Sequence, residues 1–243
     1  MNLIRAMVKK DDELILVSGS IFLEPCSHDT TRQFTFRENQ WEKNELGELD
    51  EGELIVSVFY FTKRDEWKYH TEFRLRITEC HKLSKQELKV SGLINQDESD
   101  KPYSQGITEI FKRWQNNLEI DWFSLPENHF LKHDYFVACM INTGISETIL
   151  EKQVYEFDMS LVKEFQDFLY LAGLAFVGNR CYIGYTLYTF ADCLLTIFHK
   201  RGAFFSDVNV IFLNADSIRN RDINLYREIM DIFVRFKFNI AEA

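Results

Sequence analysis

The chain has 243 residues, 46% of them apolar, and its 38 acids against 28 bases leave a formal net charge of −10. That length fills one large domain or two ordinary ones, and the balance of apolar and charged residues is that of a globular protein rather than a disordered one. The charge argues against direct nucleic-acid binding, which needs a basic footprint, and suits a basic protein partner.

The acidity is uneven. Residues 1–150 hold 26 acids against 18 bases, whereas from Glu151 onward 12 acids face 10 bases. Much of the excess lies in Glu38–Glu53 and Asp97–Asp100, which read as solvated loops. No apolar run approaches the roughly 20 residues of a membrane span, and Met1–Lys10 lacks the apolar segment of a signal peptide. Five cysteines at irregular spacing fit reduced thiols better than a disulfide framework. These features lead to the expectation of a cytoplasmic protein with no membrane association; they do not specify an oligomeric state.

Residues 1 to about 92 carry an antiparallel β pattern. Phe73, Leu75 and Ile77 alternate with Arg74, Arg76 and Thr78, as in a strand with one wet face. Leu54–Phe61 is apolar on both parities and reads as a central strand covered on both sides, joined to the former through a hairpin over Lys63–His70. Further strands are expected over Leu3–Lys9, Glu13–Phe22, Arg32–Arg37 and Gln86–Val90, with Gly19 marking a bulge or close backbone approach. A polar loop follows over Ile94–Lys101. Ile107, Ile110, Phe111, Trp114 and Leu118 then predict an amphipathic helix over Ser104–Asn117. Tyr135–Ile141 has the composition of a strand, and turn residues over Asn142–Glu147 suggest a domain boundary. The expected organisation is α+β, with a mainly antiparallel β domain over 1–148 and an α/β domain over 149–243.

The second part alternates. Gln153–Phe157 predicts a short strand, and Asp158 or Ser160 is placed to cap a helix that buries Leu161, Phe165, Phe168, Leu169 and Ala172. A glycine turn over Gly178–Gly184 leads into a second helix. Val208–Leu213 predicts a buried strand, Ile223–Phe236 an amphipathic helix with Tyr226, Ile229, Met230, Phe233 and Phe236 inward, and Lys237–Ala241 a brief final strand. This order predicts a small parallel sheet packed by helices.

The helix after the glycine turn has two unlike faces. Leu187, Phe190, Ala191, Leu194 and Phe198 share one side. Tyr185, Tyr188, Asp192 and His199 share the other, which combines two tyrosines and one carboxylate with no lysine. Cys193 reads as a small buried hydrophobe, Gly184 as a position needing positive φ, and Tyr182 as packing under the turn.

Tyr182-Ile183-Gly184 followed by Leu187-Tyr188-Thr189-Phe190-Ala191-Asp192-Cys193-Leu194, between a strand–helix pair and a strand–helix pair, resembles the barstar family of ribonuclease inhibitors over about 90 residues. The resemblance implies a protein that occludes the active site of a ribonuclease or other nuclease toxin, with no catalysis and no cofactor of its own. It implies that Tyr182, Gly184, Tyr185, Tyr188 and Asp192 form the partner-binding region, with Asp192 meeting the basic residues that would hold an RNA phosphate. Glu228 on the last helix is a candidate secondary acidic contact. The sequence departs from the family at Tyr188, where a second carboxylate is usual, and residues 1–150 have no counterpart in it.

Two other readings remain at this level. An adaptor protein would bury the same helix face against residues 1–150. An enzyme could be written from His129, His133 and Cys139 as a metal set, but a fourth ligand is missing; neither a phosphate-cradling glycine loop nor a nucleophile elbow is present.

Overall fold

The computed structural model describes residues 3–11, 13–24, 31–42, 52–95 and 104–243, and shows a mixed α/β protein. The stretch 43–51, the acidic run Asp97–Asp100 and Cys26 lie outside the described residues. The chain gathers into two compact units, Met1–Glu119 and Ile120–Ala243.

The first unit is built on eight antiparallel strands: β1 (Ile4–Lys10), β2 (Glu13–Ser18), β3 (Ser20–Glu24), β4 (Thr31–Arg37), β5 (Gln40–Trp41), β6 (Glu53–Phe61), β7 (Trp67–Ser84) and β8 (Glu87–Asn95). Their order in the sheet is β3-β4-β8-β7-β6-β1-β2-β5. The segment expected as one strand over Glu13–Phe22 is divided at Gly19, and its halves pair with different neighbours, β2 with β1 and β3 with β4. Consecutive strands therefore sit toward opposite ends of the sheet order, which requires the sheet to curl round on itself. Ser18 Oγ braces the bend, lying 2.7 Å from the carbonyl oxygens of both Ser20 and Arg37.

Inside, Leu54, Val56, Val58 and Tyr60 of β6 are fully buried, while Ile55, Phe59 and Phe61 on the opposite parity are half-buried. The strand is thus covered unequally on its two sides. Helix α1 (Gln105–Gln115) begins at Ser104, whose Oγ accepts the Ile107 N–H. It lays Phe111 against Tyr60 with ring centroids 4.2 Å apart, and the Tyr60 and Thr108 hydroxyls are hydrogen-bonded at 2.8 Å.

The second unit carries helix α2 (Phe130–Thr143), strand β9 (Val154–Asp158), helices α3 (Phe165–Ala172) and α4 (Leu187–Arg201), strand β10 (Asn209–Leu213), helices α5 (Ala215–Arg221) and α6 (Ile223–Arg235), and strand β11 (Asn239–Glu242). The three strands form a parallel sheet in the order β11-β10-β9. Its core is phenylalanine-rich: Phe157, Phe168, Phe176, Phe190, Phe212 and Phe233 are fully buried, with Phe212 and Phe233 centroids 5.2 Å apart. At about 1.5–3 kcal/mol for each such side chain removed from water, this cluster is the main source of the unit's cohesion.

Several local expectations change. Tyr135–Ile141 is not a strand but the middle of α2. Helix α2 is bonded to the start of α3 within the second unit. Asp158 accepts the Ser160 N–H and caps only a single 3-10 turn; α3 starts later, at a Glu164–Asp167 capping box. Leu161 is 37% exposed and Phe165 half-buried, so neither belongs to the core face. Met230 is half-buried, with Ile232 taking the inward place on α6. Helix α5, entered through Asn214 at φ 55°, fills a stretch for which no element was expected.

Candidate functional site

The turn before α4 is fixed by its glycine. Gly184 has φ +115°, and a Cβ there would lie 2.5 Å from the Phe190 nitrogen and 2.8 Å from the Phe190 Cα. No side chain fits between the turn and the first turn of the helix. Thr186 then caps α4: its Oγ1 accepts the Thr189 N–H at 3.1 Å, while Thr189 Oγ1 accepts the N–H groups of Thr186 and Tyr185, both at 2.9 Å. Four N-terminal backbone donors of a helix need partners, and this reciprocal pair satisfies part of that need while anchoring the turn to it.

Helix α2 holds the other side of the turn. Asn142 Nδ2 donates to the Arg180 carbonyl at 2.9 Å, the Tyr182 N–H donates to Thr143 Oγ1 at 3.2 Å, and Ile145 forms a parallel bridge with Tyr182. The helix is itself clamped to α3 by a buried charge cluster. Lys132 Nζ donates to Glu164 Oε1 at 2.6 Å and to Asp167 Oδ1 at 2.8 Å; Trp122 Nε1 donates to the same Asp167 oxygen at 2.8 Å. Trp122 stacks on Tyr170 with centroids 4.4 Å apart and planes 4° from parallel. Burial alone would lower the lysine pKa, but the hydrogen bonds and charges of Asp167 and Glu164 outweigh it and hold Lys132 above its usual range. A lysine in this position is charged, paired and structural.

The six candidate contact residues divide by burial. Tyr182 and Gly184 are buried and shape the turn. Burial pushes the Tyr182 phenol up to about 12, with the neighbouring Cys193 adding to the effect. Tyr185 is 44% exposed and Tyr188 87% exposed. Asp192 is exposed and makes no ion pair among the described residues, while Glu228 is exposed on α6. Beneath them Phe190, Cys193, Leu194 and Ile197 form the buried stripe of α4, rotated slightly from the expected one, so that Leu187, Ala191 and Phe198 are only half-buried. The Cys193 thiol is pushed up to about 12 by burial, with the Asp192 carboxylate adding to it, which keeps the thiol protonated and unreactive.

The His129, His133 and Cys139 set does not converge. His129 caps α2, its Nδ1 accepting the Leu131 N–H at 3.2 Å, His133 points outward, and Cys139 is fully buried. No group of three or more described His, Cys, Asp or Glu residues is placed to hold a metal ion. At the far end of α4 a cleft of about 430 Å³ is floored by Ile149, Leu150, Ile197 and Val208. Four of the charged groups lining it are paired, Lys200 with Glu147 at 3.2 Å and Arg201 with Asp207, and Lys152 lies over the Tyr155 ring. Among the described residues the four cysteines form no disulfide, and no helix is long and apolar enough to cross a membrane.

The turn and α4 thus present two exposed tyrosines and a carboxylate that makes no ion pair among the described residues, on a backbone held by α2. Compared with known proteins, the chain matches no family model, no curated protein and no solved structure. The turn and two-faced helix are legible in the sequence, but what supports them is not. Asn142, Thr143 and Lys132 act through partners 32 to 39 residues away, a relation without any local signature.

Proposed function

We propose that the chain is a non-enzymatic cytoplasmic inhibitor of the barstar type, which binds a ribonuclease or other nuclease toxin and occludes its active site. The observation that carries this reading is Asp192: an exposed carboxylate without an ion pair among the described residues, beside Tyr188 at 87% exposure, on a helix held in place from below. An acid left open in this way is free to meet a cationic site, and tyrosine adds rigid amphipathic area at low entropic cost. The sequence of strand, helix, Tyr-x-Gly turn, helix, strand and closing helix over a parallel three-stranded sheet supports the same reading.

In this mechanism the turn and α4 enter the nuclease cleft and Asp192 takes the place of a substrate phosphate. Inhibition is steric and electrostatic, and no bond is made or broken. Gly184 and the Thr186–Thr189 caps hold the turn and the start of α4 in one form before encounter, which lowers the ordering cost of association. Depletion of host ribonuclease activity by immobilised full-length chain tests the proposal. Wild-type chain should remove the activity, and Asp192→Ala should leave most of it in solution. Equal depletion by both, or none by either, contradicts the proposal, and an adaptor role would then be the one to pursue.

A further inference from the structure

The exposed face of α4 is too small to make a specific interface alone. A stable protein–protein contact covers about 800 Å² on each partner, drawn from some 20–30 residues, whereas α4 and its turn offer chiefly Tyr185, Tyr188, Asp192 and Leu195. The surface must continue onto a neighbour. The Tyr185 ring meets His133 of α2 edge-on, with centroids 6.2 Å apart. On α2, Phe130, His133 and Met140 follow one another along one side; Phe130 is 61% exposed and Met140 is also open to solvent. A large aromatic exposed at the start of a helix, in line with a second exposed apolar residue, is the pattern of a contact surface rather than of an ordinary wet face.

Charge points the same way. Between Phe130 and Thr143 the only lysine or arginine is the buried Lys132, and none occurs between Leu187 and His199. Over Phe130–Thr143 and Leu187–His199 the two helices therefore present aromatic and apolar groups with carboxylates and no exposed lysine or arginine to repel a basic protein; the exposed Lys200 and Arg201 lie at the C-terminal end of α4, paired with Glu147 and Asp207.

We infer that the partner-binding surface is bipartite: Asp192 and Tyr188 of α4 engage the cationic cleft of a basic protein, and the Phe130–His133–Met140 side of α2 docks on an apolar ridge beside that cleft. This rests on the inhibitor reading of α4 and extends it to residues that the family resemblance does not cover. Helix α2 thus has two roles, holding the turn through Asn142 and Thr143 and adding contact area through its outer side. His133 joins the two parts, since its ring already touches Tyr185.

Site-specific photo-crosslinking in the full-length chain, in its own host cell, tests this directly. Phe130→p-benzoylphenylalanine and Tyr188→p-benzoylphenylalanine are exposed replacements, and crosslinked proteins are identified by mass spectrometry. The expected result is one basic protein captured from both positions. Once purified, that protein should bind Phe130→Asp about tenfold or more weakly than wild type, with affinity restored by Phe130→Tyr and thermal unfolding unchanged. Capture from position 188 alone, different proteins from the two positions, or Phe130→Asp binding within twofold of wild type would overturn the inference and leave the α4 reading standing. Crosslinks from position 130 only to residues 1–119 of the same chain would also overturn it, by making the side of α2 an internal contact. No intermolecular crosslink from either position would remove both the inference and the inhibitor reading.

Discussion

Replacing Gly184 with alanine should cost the second unit about 3 kcal/mol or more, while the same change at Gly202 costs about 1 kcal/mol. Both glycines have positive φ, +115° and +71°. At Gly202, the C-cap of α4, a Cβ meets nothing within 4 Å, so only the backbone preference is lost. At Gly184 the new Cβ would approach the Phe190 nitrogen to 2.5 Å and the Thr189 carbonyl carbon to 2.8 Å. These are backbone atoms in the first turn of a helix and cannot swing aside as a flexible side chain would. The turn must lift from the helix, which would also break the Tyr185 and Thr186 hydrogen bonds to Thr189. Hydrogen exchange of the core amides of α4 in each variant reports the free energy of the unit directly. A loss at Gly184→Ala no larger than at Gly202→Ala would refute the steric argument.

Other consequences follow from the same geometry. Lys132→Met leaves the buried Asp167 and the half-buried Glu164 without their cation and should destabilise the unit by about 3–5 kcal/mol, lowering its unfolding temperature; a change under 1 kcal/mol in urea unfolding would mean the cluster is not a clamp. Tyr182 and Cys193 both have folded-state pKa values raised to about 12, so the stability they contribute is full below their unfolded values and is lost as pH rises toward 12. Cys193→Ala should flatten the alkaline fall in stability by up to about 1.4 kcal/mol per pH unit, and an unchanged slope would place the thiol in a wetter site. Tyr188→Ala, at a side chain 87% exposed, should leave unfolding within about 0.5 kcal/mol of wild type. A larger loss in calorimetry would show that the tyrosine is packed rather than presented.

The elements legible in the sequence are those whose signal is local. Alternation around Phe73–Ile77 marks a strand and its wet face, and the apolar stretch Val208–Leu213, broken only by Asn209, marks the centre of the parallel sheet. The glycine turn and the two-faced helix after it were also readable, because a turn glycine, a Thr cap and an apolar stripe lie within a few residues of one another. Helix α2 was not. Its Tyr-Phe-Val-Ala-Cys-Met-Ile run has strand-like composition, and its helical face is interrupted by Lys132, which looks like a solvent residue until Glu164 and Asp167 are seen beside it. With α2 illegible, so were Asn142 and Thr143, which hold the turn. The bend at Gly19 was noticed as a close approach, but the curl it imposes depends on which strands β2 and β3 choose as partners, and pairing across the sheet has no local record.

The decisive quantity is the inhibition constant of the full-length chain, wild type and Asp192→Ala, in a titration against RNA cleavage by the nuclease it removes from host extract. A buried interfacial carboxylate at a hot spot is worth at least about 2 kcal/mol, roughly a 30-fold change in affinity. The expected result is one-to-one inhibition by the wild type and an inhibition constant raised 30-fold or more in the variant, with unfolding unchanged. Equal inhibition constants, or a nuclease whose cleavage rate is unaffected by either protein, would contradict the inhibitor mechanism built on Asp192.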